Sequence, residues 1–173
     1  MSCPTCDEIK QNKNVLYKDK DIAIVIPELP ASFGHLKIYP VDHFTIIEQV
    51  PDKLVEKMFI TANKISTILF ETMNAQGSNI LVQNGTAAGQ TENHFSIDIV
   101  ARKEGDNINL QWTPLKLSDD DMATALLKLE EHSKKIGFED EKPETVEIQE
   151  ESEIISDLHE EDNYQLKQLE RIP

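Results

Sequence analysis

The sequence predicts an α+β domain built on an antiparallel sheet, and three observations lead to this fold class. Short apolar stretches come first, one long periodic segment follows, and further apolar stretches come after it, which is not the order of a βαβ array. Residues 51–73 carry apolar side chains at helical spacing. Residues 94–99 alternate strictly between polar and apolar side chains, as a half-buried strand does.

Three strands are predicted before the helix. The first is a short strand at residues 15–17, and residues 21–26 form an apolar stretch that two prolines end. Residues 34–40 form the third strand, which begins at Gly34-His35 and leads to a further histidine, His43.

Residues 51–73 form the clearest predicted helix. Pro51 suits a first-turn position. The stripe that is expected to face the core consists of Leu54, Met58, Ala62, Ile65, Leu69 and Met73. We interpret the two methionines as packing residues rather than as ligands.

Three strands and a glycine-rich loop are predicted after the helix. A strand at residues 78–83 leads into the loop at residues 84–90, and the alternating strand at 94–99 follows. A turn at residues 103–107 precedes a last strand at 108–112.

The alternating strand predicts a polar row beside the loop. Phe95, Ile97 and Ile99 are expected to face the core, so that His94, Ser96 and Asp98 share the other face. Polar side chains at the mouth of a glycine loop are typical of a small-molecule site.

The composition changes at Ser118, so that residues 1–117 are predicted to form the main domain. Ser118 and Asp121 resemble a capping box and start a predicted helix at residues 118–137. Residues 138–173 are read as an acidic linker and tail. Apolar residues return in this tail at roughly helical spacing, which fits a short helix packing on a dimer or a partner, or a segment disordered until bound.

The charge is uneven and excludes some partners. Of the net charge of −15, residues 118–173 carry −12, with 18 acidic and 6 basic side chains. Duplex nucleic acid is therefore excluded as an expected partner, because phosphate binding needs basic side chains. With no apolar run of membrane-spanning length and no signal-peptide pattern, we expect a cytoplasmic protein with no membrane segment.

The only two cysteines, Cys3 and Cys6, form a Cys-x-x-Cys pair. In a reducing compartment a structural disulfide is not expected there. Two thiolates at this spacing can share a zinc ion, but two more ligands are needed. The alternative is a frayed terminus in which the cysteines have no role.

The Gly89-Gln90 pair followed by His94, Ser96 and Asp98 resembles the signature of the histidine triad family. That signature has three histidines at alternate positions, of which only the first is present in this chain. The resemblance extends over residues 1–113, including the Gly34-His35 turn. It implies an antiparallel α+β fold and a homodimer in which two subunits form one continuous sheet.

The resemblance also implies a structural zinc site. The family's zinc ligands match Cys3, Cys6, His43 and His94. Two cysteines and two histidines make a closed tetrahedral site, which leaves no open position for catalysis. The alternative is that both histidines are ordinary core or surface residues.

The family's chemistry, by contrast, is expected to be lost. The middle histidine of the signature takes the nucleotidyl group, and Ser96 stands there without a base to activate it. A carboxylate at Asp98 would repel a phosphate. Pro27, Val41 and Gln83 replace the family's ribose-binding aspartate, a lysine and the asparagine that opens the loop.

Three functions remain open from the sequence. The leading hypothesis is a non-catalytic interaction or regulatory module, with the acidic tail as a possible contact for a protein partner. The second is an AMP-type nucleotide-binding protein or sensor, and the third is a nucleotide hydrolase or nucleotidyl transferase with an altered active site. The expected nucleotide-binding residues are His35, Asn84, Gly85, Gly89, Gln90 and Thr91.

Overall fold

The structure is a computed structural model that describes residues 3–133. The chain divides into two compact units, and among the described residues these are 3–108 and 109–133. None of the helices within this described part has both the length and the apolar character that a membrane crossing requires.

The first unit contains a five-stranded sheet in which every neighbouring pair of strands is antiparallel. The strands are β1 (Val15–Lys18), β2 (Ile22–Val25), β3 (Leu36–Pro40), β4 (Gly77–Leu81) and β5 (Ile97–Arg102), and they lie in the order β1-β2-β3-β5-β4. The predicted α+β class with an antiparallel sheet is confirmed. The exchange of β5 and β4 places β5 beside β3, so that residues from distant parts of the sequence meet at the centre of the sheet.

One face of the sheet is covered by the long helix, which we label α2 (Asp52–Met73) after the short helix α1 described below. The predicted stripe is confirmed, since Met58, Ala62, Ile65 and Leu69 are buried against the sheet. Burial of each Met, Ile or Leu side chain contributes about 1.5–3 kcal/mol, so that packing on the sheet, more than helix propensity, stabilises α2. The helix ends at Met73 and is followed by Asn74, which adopts the left-handed conformation with φ of 51°.

The N-terminus forms a short helix, α1 (Pro4–Lys10), which the sequence did not predict. Ile9 is 2% exposed and packs with Ala23, Val25 and Tyr39 on the sheet face opposite α2. Only seven residues long, α1 is too short to show a clear period in the sequence. The alternative of a frayed terminus is therefore wrong.

The alternating segment enters the sheet later than predicted. The amide of Phe95 donates to the carbonyl oxygen of Phe44 at 2.7 Å, outside the β3–β5 ladder, and β5 begins at Ile97. Phe95, Ile97 and Ile99 are buried in the core, as predicted. The expectation of a half-buried strand is wrong, since Asp98 is also buried, beneath side chains from β3 and the loop before it.

The predicted strand at residues 108–112 is wrong. Leu110 and Trp112 are exposed, and the segment has no ladder partner among residues 3–133. Alternation alone does not make a strand, because the backbone also needs a neighbour to pair with. The predicted turn before it is present, and Arg102 closes it by donating to Asp106 and to the carbonyl oxygen of Ile108.

The second unit contains α3 (Asp119–Glu130). The Ser118 hydroxyl accepts a hydrogen bond from the amide of Asp121 at 3.1 Å, so the predicted capping residue is confirmed. The helix ends at Glu130, earlier than the predicted 137, and the ending signals at residues 134–137 lie outside the described residues. So do the predicted linker and tail at 138–173.

Candidate functional site

Four side chains from three separate segments meet beside α1. Cys3 is the N-cap of α1 and Cys6 lies in its first turn, while His43 follows β3 and His94 precedes β5. Their ligand atoms all lie within 4.8 Å of one another. The Sγ of Cys6 is 3.4 Å from the Nδ1 atoms of both histidines, and the Sγ of Cys3 is 3.6 Å from Nδ1 of His94. We call these four residues the metal cluster.

The distances in the metal cluster fit one tetrahedral ion. A zinc ion bonded to sulfur at about 2.3 Å and to nitrogen at about 2.0 Å separates the two ligand atoms by about 3.5 Å. The observed separations of 3.4–3.6 Å agree with this value. The four residues are therefore placed so that they could hold a single metal ion.

The orientation of His94 is fixed for metal binding. Its Nε2 lies 3.0 Å from the carbonyl oxygen of Pro40, so Nε2 carries the proton and the lone pair of Nδ1 points toward the thiols. Burial lowers the pKa of His94, which favours the neutral ring that a metal requires. Burial, with the neighbouring Cys3, raises the pKa of the Cys6 thiol, so metal binding would displace its proton.

A second group of polar side chains lies on the same sheet face as α1, and its centre is Asp98. One carboxylate oxygen of Asp98 accepts a hydrogen bond from Nε2 of His35 at 2.9 Å and lies 3.7 Å from Nζ of Lys37. The other oxygen accepts from the Ser96 hydroxyl at 3.5 Å. We call His35, Lys37, Glu92, Ser96 and Asp98 the Asp98 cluster. The carboxylate, though buried, is thus well supplied with donors.

The position of His35 depends on Gly34. This glycine has φ of +102°, and an added Cβ would lie 3.1 Å from the Cβ of Ala101 and 3.2 Å from Cδ2 of Leu69. The turn therefore lies against the core and brings His35 next to Asp98. The Nδ1 atom of His35 accepts a hydrogen bond from the amide of Ala31 at 2.9 Å, so the proton of the neutral ring is on Nε2.

The order of these contacts is not that of a catalytic triad. In a triad the imidazole lies between the hydroxyl and the carboxylate and accepts the hydroxyl proton. Here the Asp98 carboxylate lies between Ser96 and His35, and both imidazole nitrogens have partners already. Ser96 therefore has no imidazole to serve as its general base in this arrangement.

Glu92 completes the Asp98 cluster, and the sequence analysis did not identify it. One of its carboxylate oxygens accepts from Nζ of Lys37 at 2.6 Å, and the other accepts from the hydroxyl of Tyr39 at 2.7 Å. The Thr5 hydroxyl of α1 also lies 3.4 Å from this second oxygen. The only sequence signal was a charged residue, Lys37, inside an apolar strand. Burial, and next the bond to Glu92, raise the pKa of Tyr39 well above its usual range.

The glycine loop is shaped by its two glycines and closed by its own hydrogen bonds. Gly85 and Gly89 have φ of +86° and +91° and flank a single 3-10 turn. The amide of Gly85 donates to Oε1 of Gln90, and Nε2 of Gln90 donates to the carbonyl oxygens of Thr45 and Glu92. The amides of Ala88, Gly89 and Gln90 also have partners within the loop.

The expected nucleotide-binding residues therefore occupy different surroundings. His35 belongs to the Asp98 cluster, and Gly85, Gly89 and Gln90 shape the loop. Asn84 accepts from the amide of Ile47 and donates to Glu48, and Thr91 is exposed just after the loop. Their role in nucleotide binding stays a prediction.

Comparison with known proteins decides the family. The model of the HIT domain matches residues 8–105, which is more than half of the chain and contains the whole sheet with α2. The chain belongs to the HIT family. The resemblance seen in the sequence is thereby confirmed.

Relatives in the HIT family include nucleotide-processing enzymes. Adenylylsulfatase HINT3 of Arabidopsis thaliana is 35% identical over 91 residues, which cover 53% of this chain and 46% of that protein. The asymmetrical bis(5'-nucleosyl)-tetraphosphatase of Schizosaccharomyces pombe is 26% identical over 115 residues, covering 65% and 63%. The chain thus spans less than two thirds of the length of these two relatives.

Solved structures show the same fold. A histidine triad nucleotide-binding protein from Candida albicans aligns with a TM-score of 0.68 at 22% identity, covering 79% of this chain and 100% of that one. A Zn-bound histidine triad family protein from Mycobacterium smegmatis aligns with a TM-score of 0.60 at 24% identity, covering 76% and 98%. At these identities the likeness concerns the fold.

Proposed function

We propose that this protein is a non-catalytic HIT-family module, stabilised by a structural zinc ion, that acts through interaction or regulation. The observation that carries the proposal is the position of Asp98. Its carboxylate takes the hydrogen bonds of His35 and Ser96 and lies against Lys37, so the protein itself uses the groups that would otherwise meet a substrate.

The metal cluster supports zinc as the bound ion. Two thiolates and two imidazoles at tetrahedral spacing are a donor set that zinc prefers. The Mycobacterium smegmatis relative is described as Zn-bound, which agrees with this choice. With four protein ligands the ion would have no open position for water, so it would join α1 to the sheet and take no part in catalysis. Thiolate ligands also suit the reducing cytoplasm in which we place the protein.

The lost nucleophile separates this chain from relatives that are named as nucleotide hydrolases. Ser96 stands where the family signature has its middle histidine, and the contact of its hydroxyl with Asp98 gives no imidazole relay. A phosphate entering beside Ser96 would also meet the negative charge of Asp98. Both effects act against a nucleotidyl-enzyme intermediate.

The proposed partners follow from the family resemblance and from the charge of the tail. We expect a homodimer, and we propose the acidic tail at residues 138–173 as the contact for a protein partner, since it carries most of the net negative charge of the chain. A partner that binds this tail would offer a basic surface.

The turnover test uses the substrate classes in the names of the relatives. The zinc-loaded protein is expected to release AMP from adenylyl sulfate and from bis(5'-adenosyl) tetraphosphate no faster than buffer does, as measured by chromatography. Ser96→Ala and Asp98→Ala should give the same rate as the unchanged protein. Turnover above buffer would contradict the proposal. Its loss in either variant would show that the altered residues form a new active site.

A second candidate is a nucleotide-binding protein without turnover. The two glycines that keep the loop in its shape favour this candidate. The internal hydrogen bonds of Gly85, Ala88, Gly89 and Gln90 argue against it, because those amides are not free to bind a phosphate.

Calorimetric titration of AMP separates the two candidates. We expect no saturable heat when AMP is added to the zinc-loaded protein up to the millimolar range. Binding in the micromolar range, which corresponds to about −8 kcal/mol, would instead favour the nucleotide sensor. Gln90→Ala removes the side chain that closes the loop, and so it tests whether the loop takes part in any AMP binding. Gln111→Ala, at an exposed residue of the second unit, is its control.

A further inference from the structure

Three donors from two elements converge on the Glu92 carboxylate. Lys37 and Tyr39 are alternate residues of β3 and reach it at 2.6 and 2.7 Å, and Thr5 of α1 approaches at 3.4 Å. Each carboxylate oxygen has at least one donor, so the donors are arranged for a two-oxygen anion. The arrangement lies outside the metal cluster and does not involve the glycine loop amides.

We propose that Lys37, Tyr39 and Thr5 form a carboxylate-binding site, which the side chain of Glu92 occupies in the resting protein. Glu92 would then act as an internal competitor. The ligand class is a small molecule that carries a carboxylate group and that gains further contacts on the Asp98 cluster.

The exposure of the side chains indicates that the Glu92 carboxylate, rather than its donors, is the group that a ligand could replace. The Lys37 side chain is 14% exposed and Tyr39 is 5% exposed, whereas the Glu92 side chain is 34% exposed. The donors are therefore the fixed part of the site, and the carboxylate is its outer part. The backbone carbonyl of Glu92 is held by Gln90 at 2.8 Å, so the side chain can rotate away without moving the chain.

The neighbouring charge selects a carboxylate over a phosphate. The carboxylate of Asp98 lies 3.7 Å from Nζ of Lys37 and shares its positive charge. Lys37 can balance in part the single negative charge of a carboxylate ligand. A phosphate group near neutral pH instead brings a charge close to −2. A singly charged oxyanion therefore fits the site better.

This inference deepens the proposed function, and it rests on the proposal only in treating Asp98 as a structural group. Its test reads ligand binding and not turnover. Nucleotide hydrolysis by the protein would overturn the proposed function, and it would leave the binding result unaffected.

The experiment is a chemical rescue of the zinc-loaded protein, with residues 1–173 all present. Glu92→Ala removes the internal carboxylate and leaves Lys37 and Tyr39 without it, and sodium acetate is then titrated against sodium chloride at equal ionic strength. We expect acetate to raise the unfolding temperature of Glu92→Ala with the logarithm of its concentration above the Kd, by about 3–6 °C at tenfold excess over the Kd. The unchanged protein and the exposed control Glu71→Ala should show no such acetate-specific rise.

Two further arms decide the assignment. The double variant Lys37→Met with Glu92→Ala is expected to lose the rescue, because the cation that binds the carboxylate is gone. Rescue that persists in this double variant, or an equal effect of acetate on Glu71→Ala, would overturn the proposal. Inorganic phosphate that stabilises Glu92→Ala more than acetate does would overturn the choice of ligand class.

A folding defect does not prevent the test. If Glu92→Ala is unfolded in chloride buffer, recovery of its circular dichroism in acetate is the expected result. Failure to recover in acetate, with zinc supplied in excess, would contradict the proposed site.

Discussion

Removal of the metal is expected to lower the unfolding temperature of this protein by about 10–20 °C, which is the largest effect we predict. Structural zinc contributes about 10–16 kcal/mol to the folding of small zinc domains, and the core formed by α2 and the sheet would retain part of the stability here. The expected loss is therefore several kcal/mol rather than complete unfolding. The measurement is a thermal unfolding scan before and after chelation, with metal content determined on protein that has never met a chelator.

The expected fall in unfolding temperature is large because the metal cluster joins several segments of the chain. Cys3 and Cys6 lie at the start of α1, whereas His43 follows β3 and His94 precedes β5, so one ion closes loops of about forty and ninety residues in the chain. Without the ion, α1 keeps the packing of Ile9 and the contact of Thr5 with Glu92. Its attachment to the sheet would then be weak.

Matched variants distinguish a structural ion from an adventitious one. Cys6→Ser should lose stoichiometric zinc and reproduce the shift that chelation causes, while His132→Ala, an exposed histidine of the second unit, should leave both unchanged. The ligands bind as thiolate and neutral imidazole, so zinc affinity should fall as the pH falls. Protein that contains no stoichiometric metal, or that melts at the same temperature after chelation, would refute the zinc site.

The helices and strands that the sequence predicted correctly are those with a local pattern. The stripe along α2 and the alternate apolar residues Phe95, Ile97 and Ile99 depend on residues close together in the chain, and the burial predicted for both is confirmed. The strand predicted at 108–112 has the same kind of alternation, but a strand also needs a partner, which alternation cannot supply. Helix α1 was missed for the opposite reason, because its packing on the sheet leaves no period in seven residues.

The candidate site was predictable only where a family pattern existed. The metal cluster followed from the resemblance, and the structure brings all four residues together. The contact between Lys37 and Glu92 could not be predicted, because it depends on the way the chain returns to β3 after the glycine loop. Likewise, the contact between His35 and Asp98 depends on the register in which β3 pairs with β5 and on the turn at Gly34. Such contacts are set by tertiary structure and not by residue type.

Asp98→Ala is expected to lower the free energy of unfolding by about 2–3 kcal/mol, whereas Ser96→Ala should cost less than about 0.5 kcal/mol. The carboxylate is buried and serves His35, Lys37 and Ser96, so its removal leaves the Nε2–H of His35 without its partner. The Ser96 hydroxyl has one long contact of 3.5 Å, and little is lost with it. Urea unfolding of the zinc-loaded protein, with both variants side by side, measures the difference.

The ratio of the two effects decides whether Asp98 is structural or catalytic. A catalytic carboxylate is commonly held at some cost to stability, so its removal would leave stability unchanged or improve it while an activity disappears. A structural carboxylate shows the reverse, with lost stability and no activity to lose. Asp98→Asn refines the answer, because the amide keeps an oxygen that can accept from His35 but loses the charge that attracts Lys37. We expect Asp98→Asn to recover about half of the free energy of unfolding that Asp98→Ala loses. An Asp98→Asn protein as unstable as Asp98→Ala would mean that the charge of Asp98, rather than its hydrogen bond to His35, stabilises the Asp98 cluster.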